Sequence, residues 1–340
     1  MKILIVASNM VHIKNFHLPY VSAFRDAGHE VSVMASGEGA DFNIPFKKRA
    51  FSFKNLRLSF LIKRILKKEK FDAIFLHTTL AAFWVRFALK GIKSRPTVVN
   101  TVHGYLFSEH SSALKRKIYL MAERIVRKKT DYIAVMNKDD LAIARDNKLA
   151  LNEPFLIDGM GVNLSRTENA KRHAFDGKLR LVYVGEISKR KNQIFLVKSL
   201  LKLDNAILTL VGDGDERETI EKFAKENGIS DRVIITGFTK NVKEHLEGAD
   251  IYVSASTIEG LPFNIMEAMS AKMPIVASDI KGQRDLLESD QLYSLNNEEE
   301  FVALVRKTAL GEREYDLEKY KIDNALPKNV SIYLDKIRKL

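Results

Sequence analysis

Short apolar runs that alternate with helix-period segments along all 340 residues predict an α/β protein of two Rossmann-like, doubly wound parallel-sheet domains facing a cleft. Three observations carry this. The alternation itself calls for parallel strands joined by crossover helices. The run 161–178 breaks it, with Asn163, Ser165, Asn169 and Gly177 among charged residues, and reads as a linker. The length also exceeds what one hydrophobic core usually serves. An N-terminal domain over residues 1–163 and a C-terminal domain over 164–324 are expected, with an amphipathic helix at about 325–340 returning to the first.

In the first half, strands are expected at 2–8, 30–35, 71–77, 97–103, 131–137 and 154–158, and helices near 15–27, 57–69, 80–89, 112–129 and 139–147. In the second half, strands are expected at 180–185, 206–212, 233–237, 250–256 and 274–278. A ligand between two such halves would lie outside the carboxyl ends of both sets of strands.

Composition narrows the function. Apolar residues make up 46% and charged residues 29%, as in an ordinary soluble protein. The formal charge of +12 favours an anionic partner such as a nucleotide or an anionic membrane. The lack of cysteine excludes disulfides, thiolate metal sites and cysteine nucleophiles. The N-terminal apolar run is too short for a signal peptide and reads as a buried strand, and no run is long enough to span a membrane.

The dinucleotide fingerprint is absent. Gly212-Asp213-Gly214 follows a strand, but Arg217 stands where the third glycine of G-x-G-x-x-G belongs, and the first strand-helix turn, 8–12, has no glycine. Asp213 and Asp215 have D-x-D spacing without a nearby histidine, and capping or turn roles explain them. No sequence cluster has metal-ligand spacing, so no metal is expected. The remaining candidates lie at strand ends. His103-Gly104 closes the fourth strand, and Asn9, His12 and His17 flank the first turn. Lys189-Arg190-Lys191 follows Gly185, where cations can hold a diphosphate. Glu259-Gly260-Leu261-Pro262-Phe263-Asn264 links a strand to a helix bearing Glu267, and Pro262 suits the first helical turn. Such a helix start aims amides and a positive dipole end at an anion.

With these residues in place, the chain resembles the glycosyltransferases of the GT-B fold, and among them the retaining nucleotide-sugar transferases of family 4. The Glu259/Glu267 spacing in an E-G-L-P-x-x-x-x-E-A context carries most of the resemblance. Lys191-Asn192, the Gly212 turn, Phe238 after its strand, His103-Gly104 and Gly161-Val162-Asn163 support it. The 16–20 and 136–140 segments are similar to bacterial capsule and exopolysaccharide members.

The resemblance implies a metal-independent hexosyltransferase using a UDP-sugar. It gives Glu267 the ribose hydroxyls, Glu259 the donor sugar, and the amides of Leu261 to Asn264 the sugar and β-phosphate. Lys191 would neutralise the departing diphosphate, His103 would lie against the sugar, and backbone near Phe238 would hold the base. It also implies a glycan or polyprenyl-diphosphate-linked acceptor, with Asn9, His12 and His17 on the acceptor side. One departure stands out: family members carry an arginine after the glycine that here is Gly185, and this chain has Glu186, so Arg190 is the nearest second cation.

Basic residues crowd segments 47–70 and 115–129, interleaved in the first with Phe51, Phe53, Phe60 and Leu61. They read as a surface for anionic lipid at the cytoplasmic face of the membrane, or as a solvated face whose aromatics pack inward. They carry no nucleic-acid module. Two other functions share the fold. A non-hydrolysing nucleotide-sugar epimerase needs acid/base groups around the sugar, and an inactive binding partner finds its one hint in Glu186.

Overall fold

Strand pairing in both halves is parallel throughout, and the order of the strands reverses at one point in each sheet. The computed structural model describes residues 1–47, 52–168, 170–171 and 174–338. Lys48, Arg49, Phe51 and Asn169, singled out in the sequence, lie outside them, as do residues 339–340. The chain divides into two units, Met1–Gly161 with Ile322–Leu340, and Val162–Lys321.

The first unit contains β1 (Lys2–Asn9), β2 (Glu30–Ser36), β3 (Phe42–Asn43), β4 (Ala73–His77), β5 (Thr97–Val102), β6 (Tyr132–Val135) and β7 (Phe155–Leu156) in the order β3-β2-β1-β4-β5-β6-β7. Its helices are α1 (Met10–Phe16), α2 (Leu18–Asp26), α3 (Phe53–Glu69), α4 (Thr79–Ala88), α5 (Ala113–Val126) and α6 (Lys138–Asp146). Helices on both faces bury β4 along its whole length, which is why it reads as a continuous apolar run. The single helix expected over 15–27 is two. His17, at φ −120° and ψ −10°, ends α1 and begins α2, whose first turn takes Pro19 without losing a hydrogen bond.

The C-terminal helix, Ile322–Arg338, starts earlier than its amphipathic pattern suggests and packs within the first unit. Tyr333 is buried against Phe75 at a ring distance of 5.1 Å, and its hydroxyl lies 3.0 Å from Thr101 Oγ1. Asn329 Nδ2 donates to the Gly159 carbonyl and to the Tyr20 hydroxyl, at 2.7 and 2.9 Å. Both N–H donors of this buried amide are thus used, so the helix is held by specific polar bonds as well as by apolar area.

The second unit contains β8 (Leu179–Val184), β9 (Ala206–Val211), β10 (Val233–Ile235), β11 (Ile251–Ser254), β12 (Ile275–Ser278) and β13 (Leu292–Tyr293) in the order β10-β9-β8-β11-β12-β13. Its helices are α7 (Gln193–Ser199), α8 (Arg217–Glu226), α9 (Val242–Glu247), α10 (Phe263–Ser270) and α11 (Glu298–Lys307). The stretch read as a linker is partly core. Val162 and Leu164 are buried in this unit's apolar cluster, and the Val162 amide donates to the Tyr320 carbonyl at 2.9 Å. Two apolar residues separated by a polar one gave too little periodicity to reveal this.

Candidate active site

In an open parallel sheet, ligands bind outside the carboxyl ends of the strands where the order reverses. In the second unit that point lies between β8 and β11, which pair directly. Beyond β8 come Gly185 and the basic run 189–191, and beyond β11 comes Glu259. Gly185 and Gly212 pack these turns against one another. Gly212 has φ +151°, and a Cβ there would collide with the Gly185 carbonyl oxygen, so the Gly212-Asp213-Gly214 turn is glycine for close approach of backbones.

Glu259, 8% exposed, is held between two cations. Lys191 Nζ donates to Oε1 at 2.6 Å, and Arg190 Nη1 donates to Oε2 at 3.0 Å and to the Ile258 carbonyl at 3.2 Å. The Thr257 amide and hydroxyl both donate to the Arg190 carbonyl, at 2.8 and 3.1 Å, tying the two loops together. Burial alone would push the Glu259 carboxyl up. The charges of Lys191 and Arg190, with hydrogen bonds from Lys191 and Ser256, outweigh burial and hold it below the usual carboxylate range. One acid and two cations leave a net positive cluster. An ionised carboxylate has further lone pairs, so Glu259 can accept from a ligand hydroxyl while keeping both cations.

Glu267 is different. It is half-buried on α10, and burial raises its pKa against the opposing charge of Arg166. Pro262 precedes α10 as its N-cap, one residue ahead of the first turn where its sequence suggests it, and its carbonyl accepts from the Met266 amide at 3.3 Å. Asn264 Nδ2 donates to the Val184 carbonyl at 2.8 Å, fastening the start of α10 to the end of β8. Gly260 and Leu261 lie in the loop between β11 and α10, and Phe263 opens the helix. Gly282, at φ +78°, presses on that loop so closely that a Cβ would collide with the Gly260 carbonyl oxygen. Phe238 is 83% exposed in the loop that follows β10. The Glu186 side chain points to solvent, while its carbonyl accepts from Gln193 Nε2 at 2.7 Å, so this residue serves the loop through its backbone.

The first unit places a second polar cluster at the equivalent point, the ends of β1, β4 and β5. The Asn9 side chain caps α1, its Oδ1 accepting from the His12 amide at 2.9 Å. His12, His17 and His103 converge, and His77, at the end of β4, joins them. Its Nδ1 lies 3.1 Å from His103 Nε2, and its ring stacks on His17 at 3.8 Å. Burial lowers all four: His12 to about 4, His103 to about 3, and His17 and His77 well below the usual histidine value. Histidines far apart in sequence meet here: one ring nitrogen from each of His12, His17 and His103 lies within 4.8 Å of the others, a grouping that spacing along the chain does not show. His77 was missed because it ends an apolar strand and reads as core. Arg166 and Gly282 carry no local motif either.

The comparisons agree with this architecture. The family model for glycosyl transferases group 1 matches residues 165–325, and that for glycosyltransferase family 4 matches 20–148. EpsD of Bacillus subtilis (strain 168), which carries a glycosyltransferase name, is 28% identical over 311 residues, covering 85% of this chain and 82% of its own. The UDP-Gal:alpha-D-GlcNAc-diphosphoundecaprenol alpha-1,3-galactosyltransferase of Escherichia coli is 24% identical, covering 78% of this chain and 74% of its own. The lipopolysaccharide outer core galactosyltransferase WaaB in its apo form superposes with a TM-score of 0.75 at 18% identity, over 98% of this chain and 100% of that one. The chain belongs to the glycosyltransferases of the GT-B fold, with a family 4 half followed by a group 1 half. It is an enzyme of sugar transfer, and neither the epimerase nor the inactive-partner reading is favoured.

Proposed function

We propose that this enzyme moves a hexose or N-acetylhexosamine from a UDP-sugar, with retention of anomeric configuration, to a glycan or polyprenyl-diphosphate-linked acceptor in surface polysaccharide synthesis. The observation that carries the proposal is Glu259 clamped by Lys191 and Arg190 at the β8/β11 switch point. Two cations sit where a diphosphate must be neutralised, and an acid with spare lone pairs sits beside them for a sugar hydroxyl. The Escherichia coli relative is named for UDP-Gal and a diphosphoundecaprenol acceptor, which supports the same pairing of substrates here.

In this reading Glu267 accepts from the ribose hydroxyls, and the backbone N–H groups of Leu261, Phe263 and Asn264 meet the sugar and β-phosphate. Backbone near Phe238 holds uracil. The bond from the anomeric carbon to the β-phosphate oxygen breaks as Lys191 and Arg190 take up the negative charge. The acceptor hydroxyl bonds to the anomeric carbon from the face the diphosphate leaves, and its proton passes to the departing phosphate oxygen. UDP is the product, and the diphosphate needs no metal ion. His103 contacts the donor sugar, and Asn9, His12 and His17 serve the acceptor.

Membrane docking has its own support. On α5, Leu114, Ile118, Met121 and Ile125 are exposed at helical spacing, flanked by exposed Lys115, Arg116, Lys117 and Arg124. Phe53, Phe60 and Leu61 of α3 also face solvent, which favours the lipid-surface reading over aromatics packed inward. Arg86, fully buried on α4, donates to both carboxylate oxygens of Glu123 at 2.8 and 3.0 Å and fixes the opposite face of α5. We therefore assign α5 and α3 to the anionic inner face of the cytoplasmic membrane. No helix among the described residues is long and apolar enough to cross it.

A donor screen reading UDP release, with and without extracted lipid-linked glycan, tests the proposal. Acceptor-dependent release from one UDP-sugar supports it; absence of release from every UDP-sugar in the presence of the glycan rejects it.

A further inference from the structure

Four imidazoles meet at the ends of β1, β4 and β5. His17 is fully buried, and both its ring nitrogens lack a hydrogen-bond partner; the buried Nε2 of His12 lacks one too. An unpaired buried polar atom is costly, so a site with three of them calls for a ligand. We propose that His12, His17 and His103 form a binding site for a borderline divalent cation of the zinc class, with His77 as the residue that positions them.

Geometry is the first support. One ring nitrogen from each of the three lies within 4.8 Å of the others. Three imidazoles on a tetrahedral zinc ion, with bonds of about 2.0–2.1 Å, bring their nitrogens to about 3.4 Å from one another. His12 and His103 are half-buried, so modest rotations of their side chains close the gap around a fixed His17. Three protein ligands leave a fourth position for water, as in zinc sites that stay open.

Ligand chemistry is the second. The cluster is made of histidines alone, and imidazole suits zinc, cobalt and nickel, whereas magnesium and calcium require oxygen. Imidazole coordinates through the lone pair of its unprotonated ring nitrogen. The third support lies behind the ligands. A metal-binding histidine is normally oriented through its other ring nitrogen, and His77 provides such a partner to His103 at 3.1 Å while stacking on His17. Thr78, next to His77, holds φ +66°, a rare conformation for a β-branched residue, and its hydroxyl is bonded to Ser8 at 2.7 Å. The end of β4 is thus fixed in a strained geometry that sets His77.

The site is built from residues of the first unit alone, and its test reads metal uptake rather than catalysis. Full-length protein freed of metal by chelation and dialysis is titrated with Zn²⁺ by calorimetry and with Co²⁺ by visible absorption, with Mg²⁺ as control. One equivalent of Zn²⁺ and tetrahedral Co²⁺ bands are expected, with no Mg²⁺ uptake. His12→Ala and His17→Asn should abolish the Co²⁺ bands, and His77→Phe, which keeps the stack and loses the bond, should weaken affinity by about 10–100-fold. A wild-type far-UV circular dichroism spectrum and cooperative thermal melt in each variant report that the chain is folded; should His17→Asn fail this check, His12→Ala at its half-exposed position decides. Failure of the wild-type protein to take up Zn²⁺, or equal uptake by His12→Ala, overturns the proposal and leaves a hydrated histidine cluster.

Discussion

In the second unit the carboxyl ends of β8 and β11 hold an acid between two cations; in the first, the ends of β1, β4 and β5 hold four uncharged imidazoles. The two sheets share their strand order about the switch point, so topology sets where each cluster stands and leaves its chemistry open. The charged cluster tolerates burial because each ion has a counter-ion. The neutral one tolerates it because burial has removed its charge, and it is left with ring nitrogens that want partners. A diphosphate suits the first kind of edge, and a neutral hydroxyl or a nitrogen-seeking cation suits the second.

This contrast can be broken most directly at Glu259. Glu259→Gln leaves Lys191 buried beside a neutral amide, and breaking a buried pair costs about 3–5 kcal/mol. Urea unfolding should show that loss; a midpoint equal to wild type would mean the pair is solvated and the two edges differ less than described.

The next largest effect separates the glutamates. Glu267→Ala should weaken UDP binding by about 1–3 kcal/mol in calorimetry. Glu267→Gln should stabilise the ligand-free protein at neutral pH. Because the folded-state pKa of Glu267 is raised, its favourable contribution is complete below the unfolded value and is lost as pH rises through the folded one. The pKa of Glu259 is lowered, so its contribution is present above the unfolded value and is lost as pH falls through the folded one. The gain in melting temperature of Glu267→Gln over wild type should therefore be larger at about pH 7 than at about pH 4, and a gain that does not grow with pH would contradict the assigned shift.

Outside both edges, replacing Lys115, Arg116 and Lys117 by glutamine should lower affinity for vesicles containing anionic lipid by about 1 kcal/mol per cation at low salt. Unchanged sedimentation with vesicles would remove α5 from the docking surface. Smaller still is the stability change from His77→Phe, about 0.5–1.5 kcal/mol for one neutral hydrogen bond. A loss as large as that of Glu259→Gln would show that the histidine edge carries hidden charge. UDP affinity, finally, should be the same in Mg²⁺ and in chelator, because Lys191 and Arg190 supply the charge; strict Mg²⁺ dependence would overturn that role.

Much of this molecule was legible in local sequence. Parallel strands buried on both faces write themselves as apolar runs, so the main strands of each sheet could be placed, and the Glu259-Gly-Leu-Pro turn announced its helix. The edge strands β3 and β13, two residues each, are too short to show a period. His17 looked like the interior of one helix because a helix-to-helix corner has no signature beyond Pro19.

What the sequence determined by itself was therefore the two-sheet class, the place of the paired glutamates and the excess of cations, all of which depend on neighbours along the chain. Only the tertiary structure decided which charges cancel and which rings meet. Lys191 and Arg190 precede Glu259 by 68 and 69 positions, and His103 follows His77 by 26. The bonds between them exist because parallel strands bring distant loops to one edge, and burial there then fixes which groups keep their charge.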